Sequence, residues 1–288
     1  MDVAAILVQG ALLGGLYAMF ATGLSLSFGV MRLVNIAHGD LIVLGAYAAL
    51  TTVNITGVHP LLSLVVVVPL MALFGYALQR GVLNGVLGGD LLPPVLVTFG
   101  FSIIIQNALL EVYSADARRL QSGWLETASV NLGGGLTAGV LPMLMFAAAV
   151  LVIGGLQALL YRTEMGRALR GASDDPVTAG TVGVNTRHIY GLAMAIALAV
   201  AAIAAVFLAM RATFDPSAGP VRLLFAFEAV IIGGMGNLWG TLVGGIILGI
   251  AQSIGAQFDA KAQILAGHLA FLLVLLLRPE GLFPRTRD

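Results

Sequence analysis

Residues 5–30 read AILVQGALLGGLYAMFATGLSLSFGV, a stretch without a single charged side chain. A membrane-spanning helix needs about 20 consecutive apolar residues, so this stretch predicts a helix that crosses a lipid bilayer. The whole chain is 59% hydrophobic and only 10% charged, whereas soluble domains carry about 25% charged residues. A soluble chain this apolar could not cover its surface with polar groups. The sequence therefore predicts an all-α membrane protein whose main solvent is lipid.

Eight apolar runs are candidates for membrane spans. They are Ala5–Val30, Ile36–Val53, Leu61–Gln79, Leu91–Tyr113, Ala138–Tyr161, Ile189–Met210, Phe225–Ile254 and Ala262–Leu277. Glycines around Gly236 interrupt the seventh run, which is better described as two shorter helices. We therefore expect residues 1–288 to form one transmembrane domain, a polytopic helical bundle of about eight or nine membrane elements, some of them broken.

The arginines predict the orientation of the bundle. Residues 162–188 carry four of them and the tail after Leu277 carries three more. Loops rich in Lys and Arg stay in the cytoplasm, so we place both segments inside the cell and the N-terminus outside. This arrangement puts 9 of the 14 basic residues inside.

Several classes of function lack their signature residues. The net charge is zero, so no basic field attracts nucleic acid. Without cysteine there is no disulfide, thiolate nucleophile or Cys-based metal site. The phosphate-binding loop of many ATPases needs a lysine in the pattern GxxxxGK[ST], and the one lysine, Lys261, stands in FDAKA. We expect no enzyme activity, no cofactor and no metal site, so any ATP-driven work must come from another polypeptide.

Residues 35–40, Asn-Ile-Ala-His-Gly-Asp, interrupt the apolar pattern between the first two spans. Ionisable groups at membrane depth are costly and usually face a cavity or a partner, so Asn35, His38 and Asp40 are candidates for a solute pathway. Asn35 and Asp40 could cap helices, and His38 could pair with Asp40. A polar turn at the membrane surface explains the same residues equally well.

A second polar group lies in the fourth span. Thr98, Ser102 and Gln106 recur at intervals of four and therefore share one helix face, with Asn107 beside them. The stripe could line a solute pathway, but polar residues in membrane helices also commonly hydrogen-bond a neighbouring helix. For His268, in the last span, a bond to a neighbouring helix is the expected role.

Two short segments resemble each other. Residues 39–45 (GDLIVLG) and 227–233 (FEAVIIG) each contain an acid, aliphatic residues and a final glycine. We place Asp40 and Glu228 near helix starts, where the helix dipole favours a carboxylate, and Glu228 joins the candidate pathway. The predicted orientation runs these helices in opposite directions, as in transporters built from inverted repeats. Chance could also produce seven loosely similar positions, so the repeat is left open.

The glycines predict close helix packing. The chain contains 37 of them, and several lie four positions apart within apolar runs. Such GxxxG spacings allow helix backbones to approach each other closely. They occur at Gly10–Gly14, Gly236–Gly240–Gly244 and Gly245–Gly249.

Residues 162–188 form the most polar connection between spans. They contain N-cap candidates, a proline suited to a first helical turn and a glycine that can end a helix. These are Ser173, Asp174, Asp175, Pro176 and Gly183. The pattern predicts one to two helical turns over residues 177–182. Such a helix could be gripped by a cytoplasmic partner, or the segment could be an ordinary solvated loop.

Taken together, these motifs resemble the LivH-type permease subunits of ABC importers for branched-chain amino acids. The similar pieces extend from the first span to the tail. They are NIAHGDL (35–41), TFGFSIIIQN (98–107), MGRALRGASDDPVTAGTVGVN (165–185), GGMGNLWGTLVGG (233–245) and RPEGLF (278–283). One departure concerns the fourth piece, because the family often has a proline after the glycine turn, where this chain has Asn237-Leu238-Trp239-Gly240.

The resemblance implies a function and a set of partners. Residues 173–184 would be a coupling helix that docks on an ATPase subunit, with Arg170 and Ala179 also in the coupling segment. The implied partners are a second homologous permease, two cytoplasmic ATPase subunits and an extracytoplasmic solute-binding protein. The implied mechanism is alternating access, in the bacterial inner membrane.

The alternative function is a stand-alone ion-coupled secondary transporter or channel, with Asp40 and Glu228 as the coupling carboxylates. The solute is also open, since the residues do not distinguish branched-chain amino acids from other amino acids, urea or short amides.

Overall fold

The computed structural model describes residues 3–88, 90, 92–133 and 136–284, which form twelve α-helices and one small β-hairpin. In chain order the elements are α1 (Val3–Met31), α2 (His38–Thr56), α3 (Leu64–Gly81), α4 (Leu92–Tyr113), α5 (Trp124–Thr127), β1 (Ser129–Gly133), β2 (Leu136–Gly139), α6 (Val140–Arg162), α7 (Glu164–Asp174), α8 (Pro176–Thr181), α9 (Thr186–Arg211), α10 (Gly219–Gly233), α11 (Leu238–Gly255) and α12 (Ala260–Leu277).

Most of the helices have membrane-spanning length. Within the described residues, eight are long and apolar enough to cross a bilayer, which confirms the predicted all-α polytopic bundle. α10 has only 15 residues, or roughly 22 Å of helix, and is too short to be counted among them. The connection after α4 contains α5 and the antiparallel pair β1–β2.

α1 and α9 form the centre of the bundle. α9 packs against α1, α2 and α3, while α1 packs against α6, α9, α10 and α11. The C-terminal half of α9 is rich in alanine, and its Ala201, Ala204 and Ala205 are completely buried. Small side chains let neighbouring helices approach a central helix from several sides. Peripheral helices such as α12 keep most of their surface outside the core.

α1 and α11 pack backbone against backbone at glycines. A Cβ placed on Gly14 would lie 2.5 Å from the carbonyl oxygen of Gly245, and one on Gly245 would lie 2.6 Å from that of Gly14. Gly10 and Gly249 meet one helical turn further along. The two helices are antiparallel, and the predicted close packing at the GxxxG spacings is confirmed.

The bundle contains two sets of four helices each. The helices follow in the same order in both sets, but the second set has the opposite orientation. α1, α2, α3 and α4 correspond to α9, α10, α11 and α12. The contacts follow the same correspondence: α1 packs on α11 as α3 packs on α9, and α2 contacts α4 as α10 contacts α12. This arrangement agrees with the inverted repeat that the sequence left open.

The register of the repeat differs from the predicted one. α2 and α10 meet at Gly39 and Gly219, so the counterpart of Gly39-Asp40 is Gly219-Pro220 and not Phe227-Glu228. Glu228 is the tenth residue of α10, and its predicted place near a helix start is wrong. The similarity of the two seven-residue segments does not reflect structural equivalence.

The tail after α12 joins the turn between α10 and α11. Leu282 N donates to Ile232 O at 2.9 Å, and Phe283 N donates to Gly233 O at 3.2 Å. Asn237 adds a bond from Nδ2 to Phe283 O at 3.2 Å, and its Oδ1 accepts from Gly240 N as the N-cap of α11. Asn237, which marks the departure from the family's proline pattern, therefore fixes the turn to the tail.

We expect Gly245→Ala to destabilise the protein by about 1–3 kcal/mol, because the added methyl would collide with the backbone of α1. The matched control is Gly155→Ala on α6, where an added Cβ meets nothing within 4 Å. Melting of the purified protein in detergent measures both. Equal melting temperatures for the two variants would show that the α1–α11 packing is not tight.

Candidate functional site

The chain turns back into the bundle after α1. Residues 32–37 connect it to His38, whose Nε2 lies 2.8 Å from the carbonyl oxygen of Phe20. Phe20 stands eleven residues before Met31, the end of α1, so the chain returns by roughly 16 Å at 1.5 Å per residue. Six extended residues can span about 20 Å, which is enough for this return.

A second return follows α9 from the opposite side. Ala197 of α9 packs against Gly23 beside the start of α2, fourteen residues before α9 ends at Arg211. Residues 212–218 lead the chain back to this level by roughly 20 Å, and α10 begins there at Gly219.

The second return was missed in the sequence, where the second interruption was placed at residues 233–240. That stretch is only the turn between α10 and α11. The missed signal was the pair Asp215-Pro216 followed by Gly219-Pro220, because proline disfavours helix in the residue before it and suits the first turn of the next helix.

α2 and α10 begin against each other. A Cβ on Gly39 would lie 2.0 Å from the carbonyl oxygen of Gly219, and one on Gly219 would lie 1.9 Å from Oδ1 of Asp40. Both crossing positions therefore require glycine. Each helix N-terminus carries about +0.5 elementary charge, so two adjacent N-termini repel each other. The carboxylate of Asp40 lies between them and offsets this repulsion.

α4 supplies the partners of Asp40. Gln106 Nε2 donates to Asp40 Oδ1 at 2.9 Å and to Ser102 Oγ at 3.2 Å. Thr98 lies on the same face, and its Oγ1 accepts from Ile36 N at 3.3 Å. The predicted common face is confirmed, and it supports the returning chain. That this face lines a solute pathway stays a prediction.

Asn35 and His38 of the 35–40 segment are also buried. Asn35 Oδ1 accepts from Ala37 N at 3.0 Å, one residue before α2 begins, while its Nδ2 is buried without a hydrogen-bond partner. The predicted pairing of His38 with Asp40 is wrong, since His38 bonds to Phe20 O and Asp40 bonds to Gln106. Asp40 is not a cap either, because α2 has no side-chain cap. The buried amide of Asn35 is therefore an unsatisfied donor, which is costly in the interior of the bundle.

The contact between the starts of α2 and α10, at Gly39, Asp40 and Gly219, is called the junction. Asn107 and Glu228 lie away from this junction. Asn107 is exposed on the outer face of α4, and its Nδ2 bonds to Ile103 O. Glu228 is buried and bonds through Oε1 to Nδ1 of His268 on α12, so the predicted interhelical role of His268 is confirmed. Two predicted pathway residues are therefore separate from Asp40.

Glu228 belongs to a second buried polar group, which the sequence did not reveal. Tyr17 donates to Gln252 Oε1 at 2.6 Å, linking α1 to α11. Glu228 Oε2 and Gln252 Nε2 are buried without partners. No spacing pattern connects these residues in the sequence, because each lies on a different helix.

The polar segment 162–188 folds as two helices. Asp175 caps α8: its Oδ1 accepts from the backbone N–H groups of Val177 and Thr178 at 3.0 and 3.1 Å. The Thr178 hydroxyl and these N–H groups hold the pKa of Asp175 below its usual value. Its carboxylate therefore remains charged, and the cap intact, across the physiological pH range.

The predicted boundaries need one correction. Ser173 and Asp174 end α7 rather than cap α8, whereas Pro176 starts α8 as predicted. Gly183, with φ of +91°, follows the helix as predicted.

α8 is exposed, yet α7 connects it to the core. Val177 and Val182 are each 76% exposed, and only Ala179 of α8 is buried. In α7, Ser173 Oγ donates to Gly29 O of α1 at 2.6 Å. Tyr190 of α9 donates to Ala172 O at 3.4 Å. A force on α8 would therefore reach both central helices.

The family model described as the permease component of the branched-chain amino acid transport system matches residues 6–277. The chain belongs to this family. This permease is 32% identical to the high-affinity branched-chain amino acid transport system permease protein BraD of Pseudomonas aeruginosa, over 97% of the chain and 95% of the relative. It is 28% identical to LivH of Escherichia coli K12, over 96% of the chain and 94% of the relative.

Another relative is described as a different permease of the same kind of system. LivM of Escherichia coli K12 is 26% identical, over 97% of this chain and 70% of LivM. No solved structure gives a significant match. The relatives are transport permeases, and the chain is accordingly a multi-pass membrane permease.

We expect Asp40→Asn to destabilise this permease by about 1–2 kcal/mol, because the junction would lose the charge that offsets two helix N-termini. Asn107→Ala is the control on the outer face of α4 and should change stability by less than about 0.5 kcal/mol. Thermal melting in detergent measures both. If Asp40→Asn melts like the unchanged protein, the electrostatic account of the junction is wrong.

We expect Gly219→Ala to separate α2 from α10, since its Cβ would overlap Asp40 Oδ1. Asp40→Ala in the same chain removes that oxygen and should restore part of the lost stability. The two single variants and the double variant form a cycle whose coupling should be about 0.5–3 kcal/mol. Additive losses would show that the two residues are not in contact.

Proposed function

We propose that this permease is the membrane-spanning subunit of an ATP-driven importer that moves branched-chain amino acids, or a similar small solute, into the cytoplasm. The observation that carries the proposal is α8, a short capped helix that projects from the bundle and is linked through α7 to α1 and α9. The names of the relatives support the choice of substrate class.

ATP hydrolysis would take place on other chains. The sequence contains no GxxxxGK[ST] pattern, so ATP would be hydrolysed by two separate cytoplasmic subunits. α8 would dock on one of them, with Val177 and Val182 as exposed apolar contacts. A second permease, comparable to the LivH and LivM relatives, would complete the pathway. An extracytoplasmic binding protein would deliver the solute to the two permeases. The whole assembly would lie in the bacterial inner membrane.

Alternating access would use the two central helices. α7 bonds to α1 and α9, and each of these helices leads directly into one of the two returns that meet at Gly39 and Gly219. Movement of α8 would shift the inner ends of α1 and α9 and change the junction of α2 with α10. Asn35, with its unpartnered buried amide, is the group at this junction best placed to meet a solute.

The test is Ala179→Pro, examined in the permease purified with its partner subunits and reconstituted in vesicles. Proline would remove the bond from Ala179 N to Asp175 O and break α8. We expect ATP-driven uptake to fall at least about tenfold, a typical effect of losing a coupling energy of 1–3 kcal/mol. Melting of the membrane domain should be unchanged.

Gly180→Ala is the control in the same helix, because its Cβ meets nothing within 4 Å, and uptake should be preserved. Two results would overturn the proposal. One is full ATP-driven uptake by Ala179→Pro. The other is uptake driven by an ion gradient without any ATPase, which would establish the secondary transporter, with Asp40 or the Glu228–His268 pair as its coupling group.

A further inference from the structure

A cavity of about 390 Å³ opens at the predicted cytoplasmic end of the bundle. It lies between the inner half of α1, the end of α6, α7 and the turn that leads into α11. Its polar and aromatic lining comes from every one of these elements. The main residues are Ser25, Gln157, Tyr161, Arg170, Asn237 and Trp239.

The described lining of the cavity carries one positively charged side chain and no negatively charged one. Arg170 is the only charged side chain among its described lining residues. The guanidinium carbon lies 4.5 Å from the centre of the Tyr161 ring, and Nε is buried without a hydrogen-bond partner. None of the ion pairs between described residues involves Arg170. A buried guanidinium N–H without an acceptor is costly, so the site favours an anion.

Ser25 provides an independent observation. It is completely buried, and its hydroxyl has no hydrogen-bond partner. Hydroxyls in helices commonly bond to a carbonyl of the preceding turn, as Thr22 does with Ala18 O at 2.6 Å. Ser25 instead lines the cavity and leaves a donor available to a bound group.

The direction of α11 adds to the preference for an anion. The helix starts at Leu238, and Leu238 and Trp239 both line the cavity. The N-terminus of an α-helix favours negative charge through its dipole and its free N–H groups. The N-terminus of α11 and the guanidinium of Arg170 therefore both make the electrostatic potential in the cavity more positive.

The aromatic side chains indicate how the cavity meets its surroundings. Tyr161, near the end of the lipid-facing helix α6, is 57% exposed, and Trp239, the second residue of α11, is 43% exposed. Tyr and Trp are enriched where membrane proteins cross the level of the lipid headgroups. Basic pockets between helices on the cytoplasmic side are suited to anionic headgroups.

We propose that this cavity binds an oxyanion, with Arg170 and Ser25 as donors, and that the oxyanion is the phosphate of an anionic phospholipid or a free phosphate. The bound anion bridges α1, α7 and α11 and so fixes the base on which α8 stands. The proposal does not depend on what the permease transports.

Native mass spectrometry of the purified full chain, with phosphatidylglycerol or phosphatidylcholine added, provides the test. We expect retained phosphatidylglycerol to fall about tenfold in Arg170→Gln, the effect of losing one charge-assisted contact. Arg162→Gln, an exposed arginine outside the cavity lining, should retain the lipid like the unchanged chain. Ser25→Val, which keeps the charge but removes the hydroxyl and narrows the cavity, should also lower retention. It remains informative if Arg170→Gln fails to fold.

A thermal-shift measurement with inorganic phosphate separates the two sources of the anion. Selective retention of phosphatidylglycerol that depends on Arg170 identifies the lipid. A melting temperature raised by inorganic phosphate in the unchanged chain but not in Arg170→Gln, without selective lipid retention, identifies the free anion. Binding of both ligands that is the same in the unchanged chain, Arg170→Gln and Ser25→Val overturns the proposal.

Discussion

The structure depends on how two stretches of non-helical backbone are accommodated deep inside the bundle. Lipid provides no hydrogen bonds, so irregular backbone at this depth must be satisfied by protein or face water. Around the first return, Thr98 and Asn35 accept from backbone amides and Gln106 holds Asp40. The second return leads to Gly219, which lies against Asp40. Asn35, Thr98 and Gln106 therefore stabilise the first return, whether or not they also contact a transported solute.

This constraint also explains the distribution of small residues. The glycines of α1, α10 and α11 bring helix backbones within direct contact, and the alanines of α9 do the same at the centre. Close packing encloses the two returns without large side chains between the helices. Since a packed core has discrete arrangements rather than a continuous range, a small shift of α1 or α9 would change the junction as a unit.

Much of this arrangement could be predicted from the sequence, because periodicity and spacing are local signals. The apolar runs indicated the long helices, the interval of four indicated the face of Thr98, Ser102 and Gln106, and Asp175-Pro176 indicated the start of α8. The failures involved contacts between distant elements. His38 and Asp40 are near in sequence, but α2 directs them to different helices.

The second return was hidden for a similar reason. Its only local signs are two prolines and a glycine, whereas its depth is set by the packing of α9 and α2. The cavity at Arg170 could not be predicted either, since it is assembled from five separate stretches of the chain. Such sites become visible only when the helices are placed next to each other.

The tail has a practical consequence for the handling of this protein. Leu282 and Phe283 satisfy carbonyl groups at the end of α10, and Asn237 binds Phe283 in return. Residues 282 and 283 therefore hold the α10–α11 turn in place by hydrogen bonds to both of its sides. A purification tag should be attached at the N-terminus or beyond residue 284. Truncating the chain at the end of α12 would remove Leu282 and Phe283 and with them the hydrogen bonds that hold the turn.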